Sequence, residues 1–255
     1  SSNNPNSAVR KAGYTKDQNC VVLVEATDFY AENVSIINLY GALSSRYTGG
    51  LGKDGQAEAL ITRNDRISLY NCVLVSFQDT WWCRHNAYSE NLAYLNNTLI
   101  EGRTDYVWGS GNVFIENSKF YNTGDGAYIT ASGETGTWGF VMKDCTVDGE
   151  NGITAFSFGR PYKPNTKTVW INTTLKMDII ASHWSSWSSI PALYGEYNTV
   201  DKNGAVISTE GKTVGSGEYQ FHVRQYPQFR TPTLPLFIRD GRLCDGRTSY
   251  ERLFR

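Results

Sequence analysis

The stretch Ile115-Glu116-Asn117-Ser118-Lys119-Phe120 decides the fold, because five other segments repeat its pattern. Ala31-Glu32-Asn33-Val34-Ser35-Ile36, Tyr70-Asn71-Cys72-Val73-Leu74-Val75 and Leu95-Asn96-Asn97-Thr98-Leu99-Ile100 precede it. Met142-Lys143-Asp144-Cys145-Thr146-Val147 and Trp170-Ile171-Asn172-Thr173-Thr174-Leu175 follow. The third position reads Asn33, Cys72, Asn97, Asn117, Asp144 and Asn172, and the position three later is always apolar: Ile36, Val75, Ile100, Phe120, Val147 and Leu175. Successive copies lie 39, 25, 20, 27 and 28 residues apart. A unit that short cannot enclose a core of its own and must stack on its neighbours.

Around these copies the chain offers short runs of Val, Ile, Thr, Tyr and Phe between Gly, Asn and Asp clusters, with little helical periodicity. The pattern predicts an all-β chain: a right-handed, single-stranded parallel β-helix with coils about 4.8 Å apart. The Asn column is expected to form an internal ladder, each amide bonding the next coil. The Gly-rich insertion from Gly41 to Gly55, inside the longest interval, reads as a loop. A leucine-rich repeat lacks its required Leu spacing, and a β-sandwich would not keep an Asn column. The 255 residues are read as one domain, with about 200–255 as a C-terminal tail packing on the helix.

Composition narrows the function. With 24 Lys+Arg against 25 Asp+Glu the chain has no electrostatic excess for nucleic acid. No apolar run approaches the roughly 18 residues of a membrane span. Aromatics at 13% and charged residues at 19% exclude intrinsic disorder. Seven Trp and 16 Tyr suit surfaces that stack on sugar rings, although strands use the same residues for packing. Five Cys imply at least one unpaired thiol and zero to two bridges. Of the sequons at Asn33, Asn96 and Asn172, the two in the repeat are expected to be buried rather than glycosylated. The N-terminal Ser1–Ser7 lacks a signal-peptide pattern and reads as a processed end.

On this register Gln78-Asp79 lies six and seven residues past Cys72, and Asp105 eight past Asn97. The two Asp, 26 residues apart, occupy nearly the same place on adjacent coils, with backbones about 5 Å apart. Carboxyls at that range split their pKa values, which supplies an acid and a nucleophile or base at one pH. Two loop aspartates making turn hydrogen bonds would share this spacing. The residues alone leave both readings open.

Four blocks add a resemblance. Gly55-Gln56-Ala57-Glu58-Ala59-Leu60, Gln78-Asp79-Thr80, Gly102-Arg103-Thr104-Asp105-Tyr106-Val107-Trp108-Gly109 and Gly159-Arg160-Pro161-Tyr162 resemble, in order, the signature blocks of pectin methylesterases. Weaker echoes at Phe29–Asn33, Tyr128–Ala131 and Gly195–Asn198 extend it over roughly residues 20 to 200. The resemblance implies a parallel β-helix and a two-step acyl transfer without metal or other cofactor, with pectin as partner. Asp105 would attack the C6 methyl-ester carbonyl of a galacturonate, held by Arg160 through a charge-assisted contact. Asp79 would protonate departing methanol and then activate water. Gln78 and Gln56 would donate to the developing oxyanion, a contribution of about 3 kcal/mol for such a donor. Trp82, Trp108 and Tyr162 would cover sugar faces. Structural roles remain open for each: a carboxylate pair for Arg160, ladder amides for the Gln, packed aromatics for the rest. Trp184 and Trp187 stand in a Ser-rich stretch near the cleft without an assigned role.

Departures from the family pattern are local. Thr104 and Tyr106-Val107-Trp108 stand where Val and Phe-Ile-Phe are usual, Tyr162 replaces a Trp, and extra residues from Cys83 to Glu90 lie beside the expected cleft. His85, His183 and His222 follow no metal-ligand spacing. The alignment begins near Cys20, so the family's N-terminal coils are expected upstream, on a missing segment or neighbouring domain. Such an enzyme would be secreted or at the cell surface. Two other classes remain: a polysaccharide hydrolase, since retaining glycosidases also pair carboxyls about 5 Å apart, and a non-catalytic sugar-binding β-helix.

Overall fold

The computed structural model describes residues 20–39, 56–83, 90–187, 189–214, 221–222 and 224–225, the last four as backbone only. The Gly41–Gly55 insertion, the residues after Cys83 up to 89, Cys244 and the prolines of the tail lie outside the described residues. Among the described residues no helix is long and apolar enough to cross a membrane.

Each coil lays down three short strands, one in each of three parallel sheets. The first sheet stacks Val22–Val24, Leu60–Thr62, Trp81–Cys83, Thr104–Gly109, Ala127–Ser132 and Phe156–Gly159 in sequence order. The second stacks Phe29–Glu32, Ile67–Tyr70, Leu92–Asn96, Asn112–Glu116, Phe140–Lys143, Lys167–Ile171, Leu193–Tyr197 and Arg224–Gln225. The third stacks Ser35–Ile37, Val73–Val75, Leu99–Gly102, Lys119–Asn122, Thr146–Gly149 and Thr174–Leu175. Because consecutive strands of a sheet are one coil apart and parallel, the chain is a parallel β-helix, right-handed as such crossovers are. Residues 213–214 and 221–222 add an antiparallel pair, and Arg224–Gln225 still pairs with Gly195–Glu196, so part of the expected tail continues the second sheet.

The core runs down the axis as columns of like residues. Ile36, Leu74, Ile100, Phe120, Val147 and Leu175 pair rung by rung in the third sheet and are all buried. Leu69, Leu95, Ile115, Met142 and Trp170 do the same in the second. Burying each such side chain contributes on the order of 2 kcal/mol.

Two expectations about the repeat are corrected. The second copy is shifted by one residue: Leu74, not Val75, faces inward, and Asn71, not Cys72, occupies the ladder. The ladder also faces solvent rather than the interior, and Asn33, Asn71, Asn97 and Asn198 are exposed. The cause is the backbone at the corner between the second and third sheets. Asn33, Asn71, Asn97, Asn117, Asp144, Asn172 and Asn198 all adopt φ between 51° and 59°. Asn and Asp tolerate this left-handed conformation better than other side-chain-bearing residues, whereas Cys does not. From the second copy on, the next residue turns inward instead: Cys72, Thr98, Ser118, Cys145, Thr173 and Thr199 are buried, whereas Val34 after Asn33 is exposed. The amides do bond along the column, Asn97 to Asn71 at 3.0 Å, Asn172 to Asp144 at 2.8 Å and Asn198 to Asn172 at 3.1 Å. The sequon Asn33 is therefore exposed, not buried. Among the described residues Cys72, Cys83 and Cys145 are buried free thiols, and burial pushes the Cys83 and Cys145 thiols well up.

Candidate active site

With the register corrected to Asn71, Asp79 and Asp105 each lie eight residues past their ladder residue. They fall at the opposite corner of the coil, where the third sheet passes into the first. Parallel bridges Gln56–Gln78 and Gln78–Thr104 place these three residues on successive rungs of one row. The row continues through Thr104–Tyr128 and Tyr128–Ser157. Asp79 and Asp105 therefore follow paired residues on adjacent coils, and the Asp79 amide donates to the Thr104 carbonyl at 3.1 Å.

Both carboxyl-bearing residues have left-handed backbone, φ 60° for Asp79 and 50° for Asp105. Asp105 sits where the register of Thr104–Gly109 shifts against the next strand, between Thr104 and Val107. A bulge at that point re-aims a side chain that an even strand would alternate in or out. Gly109, which closes the strand, has φ 122°, and a Cβ there would lie 2.0 Å from the Cys83 carbonyl oxygen. Only glycine lets this strand lie against the rung below.

Arg160 reaches Asp105 from two coils further on, just past Phe156–Gly159. Its Nε donates to Oδ1 at 2.9 Å and its Nη2 to Oδ2 at 2.7 Å, a parallel two-pronged contact. Asp79 and Asp105 are buried, exposed by only 3% and 5%. Burial pushes the Asp105 carboxyl above the usual aspartate value, while Arg160 pulls it back through the hydrogen bonds and its charge. Burial also works against the Arg160 charge, but there the Asp105 contact prevails and the guanidinium is held above its ordinary value. The outcomes differ because Asp105 is the more deeply buried partner.

An aromatic wall flanks the pair. Trp82 and Trp108, directly paired on adjacent rungs, stack with ring centroids 4.3 Å apart and planes 12° from parallel. Tyr162 meets Trp108 edge-on at 5.8 Å, and Trp187 lies 5.5 Å from Tyr162. Tyr162 and Trp187 are about two-fifths exposed. The Gln56 Oε1 atom is buried and makes no hydrogen bond among the described residues. Among the described residues no group of three or more His, Cys, Asp or Glu could hold a metal ion.

All eight residues singled out from the sequence thus lie along one stripe of the helix, on rungs that run from Gln56 to Arg160. Two neighbours of Arg160 carried no role in that reading, Tyr128 standing only in a weaker block echo and Trp187 only near the cleft. The guanidinium lies over the Tyr128 ring at 4.2 Å and under the Trp187 ring at 4.0 Å. The available signal was spacing, since Trp187 follows Arg160 by 27 residues, one coil. Trp184, its partner in the Ser-rich stretch, is a core residue stacked on Tyr194 at 4.0 Å. His183 is buried with its Nδ1 3.0 Å from both oxygens of Glu196.

Comparison with known proteins places this stripe in context. Residues 5–223 match the family model described as Pectinesterase. A probable pectinesterase A of Neosartorya fischeri is 29% identical over 192 residues, covering 72% of this chain and 54% of the relative. Pectinesterase 31 of Arabidopsis thaliana is 30% identical over 172 residues, covering 66% and 49%. The chain thus spans about half the length of the curated relatives it matches. Among solved structures, a pectin methylesterase from carrot superposes with a TM-score of 0.62 at 21% identity, covering 82% of this chain and 67% of that one. One from Aspergillus niger gives 0.64 at 23% identity, covering 78% and 63%. At these identities the structural likeness concerns the fold.

Proposed function

Since this chain belongs to the pectinesterase family, we propose that it hydrolyses the C6 methyl esters of galacturonate in pectin and releases methanol. The observation that carries the reading is the two-pronged Arg160–Asp105 contact on the coil next to Asp79. In the first step the Asp105 carboxylate attacks the ester carbonyl, and the C=O electrons move onto oxygen. Gln56 and Gln78, on neighbouring rungs, donate amide N–H groups to that oxyanion. The intermediate collapses with cleavage of the bond to methoxide, which takes a proton from Asp79 and leaves as methanol. In the second step ionised Asp79 accepts a proton from water as its oxygen attacks the acyl carbon. The galacturonate carboxyl departs and Asp105 is regenerated as carboxylate.

The geometry supports this division of labour. Burial keeps Asp105 out of water and raises its carboxyl, while the Arg160 hydrogen bonds and charge favour the ionised form. The Gln56 side chain lies on the same row as Gln78, and its Oε1 takes no hydrogen bond among the described residues. Trp82 and Tyr162, backed by the buried Trp108, form an apolar wall along which sugar rings can lie. Pectin is a wall polymer outside the cell, so the protein is read as extracellular.

Incubation with highly methylated pectin, with methanol and reducing ends both quantified, tests the proposal. Methanol without new reducing ends, lost in Asp105→Asn while the circular dichroism spectrum is retained, is the expected result. New reducing ends would instead identify a glycoside hydrolase. Binding to pectin with neither product would identify a non-catalytic sugar-binding β-helix.

A further inference from the structure

The geometry points to Trp187 as a positioning residue: it closes an aromatic clamp on the Arg160 guanidinium and so fixes the group that aligns Asp105. This rests on the esterase reading for its consequence in catalysis, though not for the clamp itself. The inner plate is Tyr128, 4.2 Å from the guanidinium carbon. It is held in a strand that pairs on both sides, with Thr104 and with Ser157. The outer plate is Trp187, at 4.0 Å. A planar cation between two π faces keeps its edge free, and that edge carries the two N–H groups that reach Asp105.

Trp187 does not come from a regular strand, so something else must hold it. The preceding segment is laid as an irregular rung on Phe156–Gly159. Ile180 N–H donates to Phe156 C=O at 2.9 Å, Phe158 N–H to His183 C=O at 2.9 Å, and Ser185 N–H to Gly159 C=O at 3.0 Å. Its side chains are moored by one buried carboxylate. Glu196 accepts from Trp184 Nε1 at 2.9 Å and meets His183 Nδ1 at 3.0 Å. His183 has φ 62°, a turn that carries the chain back over the strand. The anchoring ends at Ser185, opposite Gly159, which immediately precedes Arg160. Trp187 is thereby delivered to the residue it covers.

Hydrogen exchange of the Arg160 Nε–H, assigned by its loss in Arg160→Gln, reads the clamp directly. Trp187→Ala and Trp187→Leu, the latter keeping apolar bulk without a π face, are expected to speed exchange about tenfold, and Trp187→Phe much less. Unchanged exchange in the Ala and Leu variants would overturn the proposal. On methylated pectin, Trp187→Ala should lower kcat about tenfold with KM within about twofold of wild type. A raised KM at constant kcat would make Trp187 a sugar platform only, and also overturn it. If wild-type protein releases no methanol, the esterase reading fails, and the exchange measurement still decides whether the clamp exists.

Discussion

Arg160 and Asp105, 55 residues apart in sequence, meet edge to edge through two hydrogen bonds of 2.9 and 2.7 Å. The contact joins two forces of opposite sign on one carboxyl. Burial favours the neutral acid, and the guanidinium favours the carboxylate. Burial is the larger, so the Asp105 pKa is raised. A raised aspartate contributes least to stability where it is ionised. Its penalty is absent below the unfolded-state pKa, grows as pH rises, and is complete above the folded-state value.

The same balance predicts a pH profile. Activity should fall on the acid side as Asp105 takes up a proton, at a pH above the usual aspartate range. Arg160→Gln removes the opposing charge, so the acid limb of kcat/KM should move to higher pH, together with the Asp105 carboxyl 13C titration midpoint. A limb that stays in place would dissociate Arg160 from the ionisation of Asp105.

Gln78→Ala should reduce kcat by about 10²- to 10³-fold with little change in KM, because an oxyanion donor acts on charge that exists only in the transition state. Steady-state kinetics on methylated pectin measure it. A comparable rise in KM would indicate that Gln78 binds the ground-state substrate instead.

Trp82→Ala removes one half of the stacked pair with Trp108. The expected result is a KM about tenfold higher at nearly constant kcat, since a ring face binds the sugar chain and takes no part in bond making. Loss of kcat alone would count against a sugar-facing role.

Gly109→Ala should destabilise the protein by about 3 kcal/mol or more, from a forbidden φ together with a backbone clash. The clash is with the Cys83 carbonyl, the rung on which the Trp82–Trp108 stack depends. Urea unfolding followed by tryptophan fluorescence provides the number. A cost under about 1 kcal/mol would mean that the rungs can separate.

At the outer corner, Asn97→Gly should cost less than Asn97→Ala, by about 1 kcal/mol, because φ is 51° there. Thermal unfolding of the pair would assign the ladder to the amide bonds instead if the two variants are equal.

The coil architecture was legible because stacking forces an apolar residue at a fixed offset in every copy, as Ile36, Ile100, Phe120, Val147 and Leu175 illustrate. The carboxyl pair was legible for the same reason, since nearly equal offsets of seven and eight residues on adjacent coils mean near adjacency in space. Correcting the ladder residue to Asn71 makes the offsets equal. At Tyr70–Val75 the pattern failed by one residue, because Asn71 and Cys72 both precede an apolar residue by three. Only the left-handed φ of the corner chooses between them, and it does so by excluding Cys. That same φ turns the amides outward, which polarity alone does not indicate. Trp187 was placed near the cleft without a role, because its position over Arg160 depends on the buried Glu196 and not on any strand pattern. The Arg160–Asp105 contact required a block resemblance, because nothing local ties residues two coils apart.

The row Gln56–Gln78–Thr104–Tyr128–Ser157 makes hydrogen-bonded strand spacing the ruler of this site. Four steps of ~4.8 Å set its length at about 19 Å. The intervals between successive corner residues, from Asn33 to Asn71, Asn97, Asn117, Asp144, Asn172 and Asn198, are 38, 26, 20, 27, 28 and 26 residues. The loops therefore absorb every difference in length, while the reacting groups keep their pitch. Lengthening or shortening a corner can reshape the walls of the cleft without moving one carboxyl relative to the other. Variation in substrate preference and constancy of chemistry are thereby assigned to separate parts of the same coil.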